Sequence, residues 1–442
     1  RAMTRHNPRA LAPFSVRSFR FQWPADLAAS WAFEIEMLIL GWYVLVESES
    51  VFLLVLYGAL QYVGALASPY VGVLGDRYGY KTLFISMRVV FVFLSLAMLG
   101  LALADLLNPL LVIALSTITG ALKPSDIMIR FTLIAQALKP SQLVGALGIS
   151  RVTVDSARMA GAIAGVGVFT LFGIAGTYVF IFAMYLTSLA LSFGVVGRDA
   201  ATIEAKTPAS VLQDLRLGVQ YVWHNQVLRG CFLLAFWVNV FAYPLVLGLL
   251  PYVVNNVFMA TETLLGVLGA AYAFGSLLGS VLVSSNRIAM GAGRLMILGA
   301  IAWFAAGAVF AINDVVMIGV VLLVVVGAAQ SLCVTPLAGV MLRATEPHYR
   351  GRVMGMRILA ILGLPLGLLM SGPLIDVFGF GWTVGIYSLL GVACAVSMIW
   401  VWRDSLWDKS CLANTPTETT AATTAITCAD PPIKPPTASS SD

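Results

Sequence analysis

The chain has 442 residues, 60% of them hydrophobic and 11% charged, with a mean hydropathy of +0.91, which excludes a soluble globular protein and requires a polytopic membrane protein. The net charge of +5 is no nucleic-acid signature, because the cations gather at turns between apolar runs. Nor do five cysteines make a disulfide framework: Cys231, Cys333 and Cys394 fall within apolar runs, and Cys411 and Cys428 in a polar tail.

In chain order, residues 1–21 form a basic arm. The apolar run that follows is too long for a signal peptide and lacks a small-residue cleavage site, so it reads as a retained helix. Twelve spans are predicted, at 22–46, 51–75, 83–104, 109–137, 141–172, 177–198, 228–256, 263–286, 294–313, 315–343, 352–376 and 381–403. They divide into a six-helix half over 22–198, a cytoplasmic linker over 199–227 and a second six-helix half over 228–403. Within the linker, Pro208 opens a helix with Leu212, Leu215, Val219 and Val222 on one face, suited to the membrane surface. Residues 404–442, rich in Thr, Pro and Ser, read as a disordered tail.

Charge sets the orientation. The seven segments on the amino-terminal side hold 23 of the 26 Lys and Arg, Arg88 counted among them. The opposite turns hold none; they carry Glu47, Glu49, Asp105, Glu262, Asp314 and Asp376. Both termini are therefore expected in the cytoplasm; a bacterial inner membrane is the location expected for the chain.

The turn after the second span contains Gly72, Leu74, Gly75, Asp76, Arg77, Gly79 and Lys81. Gly75 and Gly79 are read as allowing it to be tight. Its pattern closely resembles the loop joining the second and third helices of major facilitator superfamily transporters, with Gly75 where that family usually has Ala or Ser and Tyr80 where it often has Arg. Small residues spaced i,i+4 recur at Gly64, Ser68 and Gly72, at Ala157, Gly161 and Gly165, at Gly275 and Gly279, and at Gly363, Gly367 and Ser371. They lie in the second, fifth, eighth and eleventh spans, which line the contact between the halves in that fold. Lys139 to Leu143 leading into Ala157, Arg158, Gly161 and Gly165 is similar to the enterobactin-exporter and macrolide-efflux branch. So are Asp214, Gly218 and Tyr221, and Glu346 to Gly355 followed by Pro365 and Gly367. Ala162 departs from the Pro that antiporters often carry in the fifth helix, and the turn after the eighth span lacks an Asp.

The sequence contains no phosphate loop of the G-x-x-x-x-G-K-[ST] type and no H-E-x-x-H. ATP-driven pumping and zinc hydrolysis are unsupported, and neither an enzyme nor a cofactor is expected. Interest falls on ionisable groups inside spans, each costing about 2.5–3.5 kcal/mol at the bilayer centre unless it finds a partner or a wet cavity. Glu34 and Glu36 are about 200° apart on their helix, and Glu34, on the more polar strip with Ser30 and Gly41, is expected to face the cavity. It also matches the position where the resembling family often has Asp. Asp126 with Arg130, and Asp155 with Arg158, are spaced to pair along their own helices. Lys123, beside Pro124, has no well-placed acid on its helix and calls for Glu34 or Glu36 across the cavity. Asn239, Tyr243, Gln330 and Thr335 are pocket candidates from the second half.

These readings converge on an all-helical twelve-span transporter that alternates access around a midplane site, exporting an amphipathic organic compound, siderophore-like or drug-like, against protons. Glu34 is the expected proton carrier, tuned by Lys123, with Glu36 in reserve and Asp126 a further candidate. Asp76 is expected to brace the cytoplasmic gate against Arg350 and Arg352. The partners expected are a small molecule, protons and lipid, with a monomer as the working unit and no nucleic acid. Uptake of a metabolite or lipid, and a transport-inactive receptor or scaffold, are the competing readings.

Overall fold

The computed structural model describes residues 9–66, 68–138, 140–196, 208–284, 290–346, 353 and 359–407, and among these the regular structure is helical, with no strand. Helix α1 (Arg17–Ser48) stops where Glu49 adopts a left-handed conformation, and α2 (Val51–Leu60) starts beneath Ser50, whose hydroxyl accepts from the Leu53 amide. Then come α3 (Ser68–Tyr78), α4 (Tyr80–Leu103) and α5 (Pro109–Ala137), the last capped by Asn108. Helix α6 (Pro140–Ser192) is broken at Gly173 (φ 65°, ψ −167°), and since about 20 residues cross a bilayer, its two arms are two passes. The linker helix α7 (Pro208–His224) leads to α8 (Gln226–Phe241), capped by Asn225, and to short α9 (Tyr243–Leu247) and α10 (Leu250–Tyr252). The rest comprises α11 (Glu262–Ser284), α12 (Ala292–Ala311), α13 (Val316–Arg343), α14 (Gly363–Phe378) and α15 (Phe380–Val401).

Among the described residues eight spans are long and apolar enough to cross a membrane, joined by three shorter apolar helices. Two expected spans are interrupted. The second splits into α2, a 3-10 turn at Val63–Leu66 and α3, where Gly64 presses on the Ala121 carbonyl of α5. The seventh splits because Pro244 and Pro251 remove backbone donors, and it ends in a π turn at Val253–Val257. The turn after α3 is shorter than expected: α3 runs through Arg77 to Tyr78, and only Gly79, at φ 86°, breaks the helix. Gly75 is helical, and its missing side chain makes room for the Tyr80 ring rather than for a bend.

Among the described residues two large hydrophobic cores form, beside a small cluster of Phe19, Ile134, Leu138 and Ala146. One gathers α1, α2, α4, α5 and α6 around Ile35, Phe84, Phe91, Ile129 and Ile181; the other gathers the helices after residue 222 around Tyr272, Trp303, Phe304 and Phe310. Trp42, Val55 and Ala59 of the first half join the second core, which marks where the halves touch.

The second and eleventh spans, and the fifth and eighth, pack across that contact as expected, but the glycines of their small-residue strips turn to their own half. Gly64 faces Ala121, Gly161 and Gly165 face Glu34 and Ile35, Gly275 and Gly279 face Val324 and Ala328, and Gly363 and Gly367 face Phe236 and Val240, all within one half. The halves instead meet at Gly58 against Leu368 and Gly248, at Gly372 against Val55, at Gly41 against Pro251, and at Gly266 and Gly269 against Ala162. Within a half glycine admits a neighbour's backbone, giving a rigid body, whereas most contacts across the halves end on side chains, which can slide. A Cβ at Gly275 would overlap the Val324 carbonyl oxygen, while one at Gly100 would meet nothing within 4 Å. Gly275→Ala is therefore expected to destabilise by about 1–3 kcal/mol and Gly100→Ala to be neutral, measured by thermal unfolding of the purified protein.

Candidate functional site

The polar interior of the first half begins with a ring of two acids and two bases. Asp26 lies about two turns into α1 and Arg88 about two turns into α4, and both meet Asp126 and Arg130 of α5. Arg88 holds Asp126 Oδ1 at 2.9 Å and Asp26 Oδ1 at 3.2 Å, and Arg130 holds Asp26 Oδ1 at 3.1 Å and Asp126 Oδ2 at 2.5 Å. Arg130 Nη1 also donates to Ser30 Oγ at 2.9 Å, and the Phe84 ring lies 4.5 Å from the Arg88 guanidinium. Alternating signs make the ring neutral, and its charges offset one another where Arg88 and Asp126 are fully enclosed. The i,i+4 pairing of Asp126 with Arg130 is present, but it turns into this ring, away from the space between the halves. Arg88, counted among the cytoplasmic cations on sequence, is wholly buried.

Glu34 and Glu36 diverge on α1. Glu34 lies against Gly161 of α6, and the space left by that glycine lets its carboxylate run along α6 to Arg158, Oε2 to Nε 3.6 Å, both side chains partly exposed. Arg158 thus pairs with Glu34, not with Asp155 as its spacing suggested; Asp155 is buried one turn earlier on α6. Lys123 pairs with neither glutamate, because its ammonium sits 3.8 Å over the Phe33 ring, on the face of α1 turned to α5. Glu36 is enclosed within the half, where Tyr178 and Tyr185, two turns apart on α6, donate to its two oxygens at 3.2 and 3.1 Å. Tyr185→Phe strips one carboxylate oxygen of its donor and is expected to cost about 1–3 kcal/mol in thermal unfolding, with no change in cargo binding.

From the second half, Gln330 donates to Tyr243 Oη at 3.1 Å and accepts from Ser276 at 3.1 Å, and Tyr243 meets Trp303 edge-on at 4.8 Å. Asn239 is turned back onto the Ala235 carbonyl of its own helix, and Thr335 is half-buried on α13, outside this network. A cavity of about 70 Å³ lies between the halves, with Glu34, Tyr57, Arg158, Ala162, Gly269 and Tyr272 in its wall. Of the charged residues singled out on sequence, Glu34 and Arg158 are brought together there. Arg77 is exposed beside the Tyr78 ring and Lys81 is half-buried; Gly72 is helical, and the Asp76 side chain, with Arg350 and Arg352, lies outside the described residues, and with it the expected gate brace.

Sequence reading passed over Asp26 and the tyrosines at 57, 178, 185 and 272. Two signals were present: Asp26, Ser30 and Glu34 repeat at i,i+4, and Tyr178 and Tyr185 are seven apart, on one face.

The family model described as Major Facilitator Superfamily matches residues 27–258 and 232–431, which together cover most of the chain. The chain belongs to the major facilitator superfamily. No curated protein matches it in sequence. In fold it is similar to a POT family transporter in complex with 5-aminolevulinic acid, at 11% identity and TM-score 0.69 over 88% of this chain and 96% of that one. It is similar to a D-xylose-proton symporter, at 14% identity and TM-score 0.63 over 87% and 98%. It also resembles a bacterial homolog of the human lysosomal transporter Spinster, inward-facing and occupied, at 14% identity and TM-score 0.63 over 88% and 97%. For a member of this family, secondary transport of a small molecule across a membrane is the activity consistent with the fold.

Proposed function

We propose that this transporter exports an amphipathic organic compound against protons, as a twelve-span monomer in a bacterial inner membrane with both termini cytoplasmic. The observation that carries the reading is the Glu34–Arg158 pair, partly exposed in the wall of the cavity between the halves. Ionised Glu34 holds a cationic group of the cargo, and a proton taken up by Glu34 as the cargo leaves cancels that charge, so proton and cargo exclude one another at the pair. Arg158 replaces Lys123 as the cation that tunes Glu34. Asp126 and Arg130 hold the first half rigid, and Glu36 is a reserve carrier shielded from the cavity. Contacts at Leu368, Val55 and Pro251 lie toward the acidic turns, which supports a form closed to the outside and loaded from the cytoplasm.

The test is ligand-dependent proton movement in proteoliposomes, screened over siderophore-like and drug-like compounds with the pH gradient imposed in either direction. Protons moving opposite to cargo support export. Cargo moving with protons supports uptake instead, and binding without movement of either supports a receptor.

A further inference from the structure

The cavity between the halves, at about 70 Å³, has room for a polar head but not for a drug-sized ligand, whose pockets run to about 300–1,000 Å³. Beside it is a larger recess of about 730 Å³ on the outer face of the bundle, between α6 and α11 with α13 along one side. Its lining is apolar, including Ile163, Val166, Leu171, Val267 and Phe274, and Leu171 is 76% exposed, so this groove opens where the lipid lies.

A single residue separates the two spaces. Ala162 lines both; Gly269 lines the cavity and Gly266 the groove. A Cβ at Gly269 would stand 3.1 Å from Ala162 Cβ, and one at Gly266 would stand 2.8 Å from the Ala162 carbonyl oxygen, so the partition is one methyl-bearing residue against two bare backbones. Arg158 is one helical turn from Ala162 on α6, and Glu34 and Arg158 together present one anion and one cation on the cavity side.

We propose that the groove between α6 and α11 receives the alkyl tail of a single-chain amphiphile whose compact zwitterionic head sits at Glu34 and Arg158. This rests on the reading of that pair as the cargo site, and it names the cargo class. Moving a tail wholly into a polar cavity would weaken binding roughly fourfold for every methylene taken out of apolar surroundings. A groove that runs beside the head site lets the tail stay in apolar contact while the head enters between the halves. The complement of charges at Glu34 and Arg158 fits a head carrying both signs, and the apolar lining of the groove fits an alkyl chain.

Gly167 supplies the test, because it lines the groove and a Cβ added there meets nothing within 4 Å. Gly167→Leu therefore fills the groove without disturbing the packing, and retained thermal stability verifies that. Two radiolabelled probes are compared on nanodisc-embedded protein against empty nanodiscs: palmitoyl lysophosphatidylcholine, with head and tail, and glycerophosphocholine, the head alone. The expected result is that the unaltered protein retains both, Arg158→Gln lowers both, and Gly167→Leu lowers the palmitoyl probe by roughly tenfold while leaving the head alone unchanged. Equal retention of the palmitoyl probe by Gly167→Leu, or an equal fall in both probes, overturns the tail site while the head site stands. Failure of the unaltered protein to retain either probe overturns the head site, and the tail site with it.

Discussion

Replacing Arg88 with methionine is expected to cost about 3–5 kcal/mol of stability, because it leaves buried acid without its cation. The Arg88 guanidinium touches both Asp26 and Asp126, and the Asp126 side chain is fully enclosed, so water cannot take over. Arg130 remains, and one cation then faces two carboxylates. Thermal unfolding of the purified protein should show the melting temperature falling by roughly 5–10 °C. Arg88→Met combined with Asp126→Asn removes one charge of each sign and is expected to recover much of the loss, since an uncompensated charge is more costly than a missing pair. If Arg88→Met melts with the unaltered protein, the ring does not hold the half together.

Glu34→Gln is expected to separate transport from the proton gradient. The substitution keeps the size of the side chain and removes its charge, and the pair is partly exposed with a long 3.6 Å contact, so stability should change by about 1 kcal/mol. Accumulation of cargo driven by a pH gradient should fall by roughly 5- to 150-fold, the range of ordinary coupling free energies, while exchange of cargo down its own gradient persists. Glu36→Gln should leave coupling largely intact, because its carboxylate is enclosed by Tyr178 and Tyr185 on the far side of α1. Both are read in proteoliposomes with a pH dye inside. Full pH-driven transport by Glu34→Gln, or its loss in Glu36→Gln alone, overturns Glu34 as the proton carrier.

The helical architecture was legible from one-dimensional pattern, because a bilayer admits backbone only as long apolar helices and sorts cations to one side. The positions of Glu34 and Glu36 on divergent faces followed from helical periodicity, and so did the pairing of Asp126 with Arg130. Periodicity names a face of a helix but not the neighbour that covers it. Arg158 therefore looked equally suited to Asp155, and only the docking of Gly161 against α1 turned it to Glu34. Spacing made Lys123 a partner for a glutamate, whereas packing seats its ammonium over the Phe33 ring.

The glycine strips show the same division. Spacing alone establishes that a backbone can come close at Gly275 and Gly367, and it is silent on whose backbone comes. Packing places α13 and α8 there, from the same half, and leaves the boundary between the halves to Leu368, Val55 and Ala162. Likewise composition requires every buried charge to find a counter-charge, but the ring of Asp26, Arg88, Asp126 and Arg130 closes only when α1, α4 and α5 converge. Charge balance and apolar length are sums over residues and can be read in order; a partner across a helix interface is a distance, and it exists only once the helices are packed.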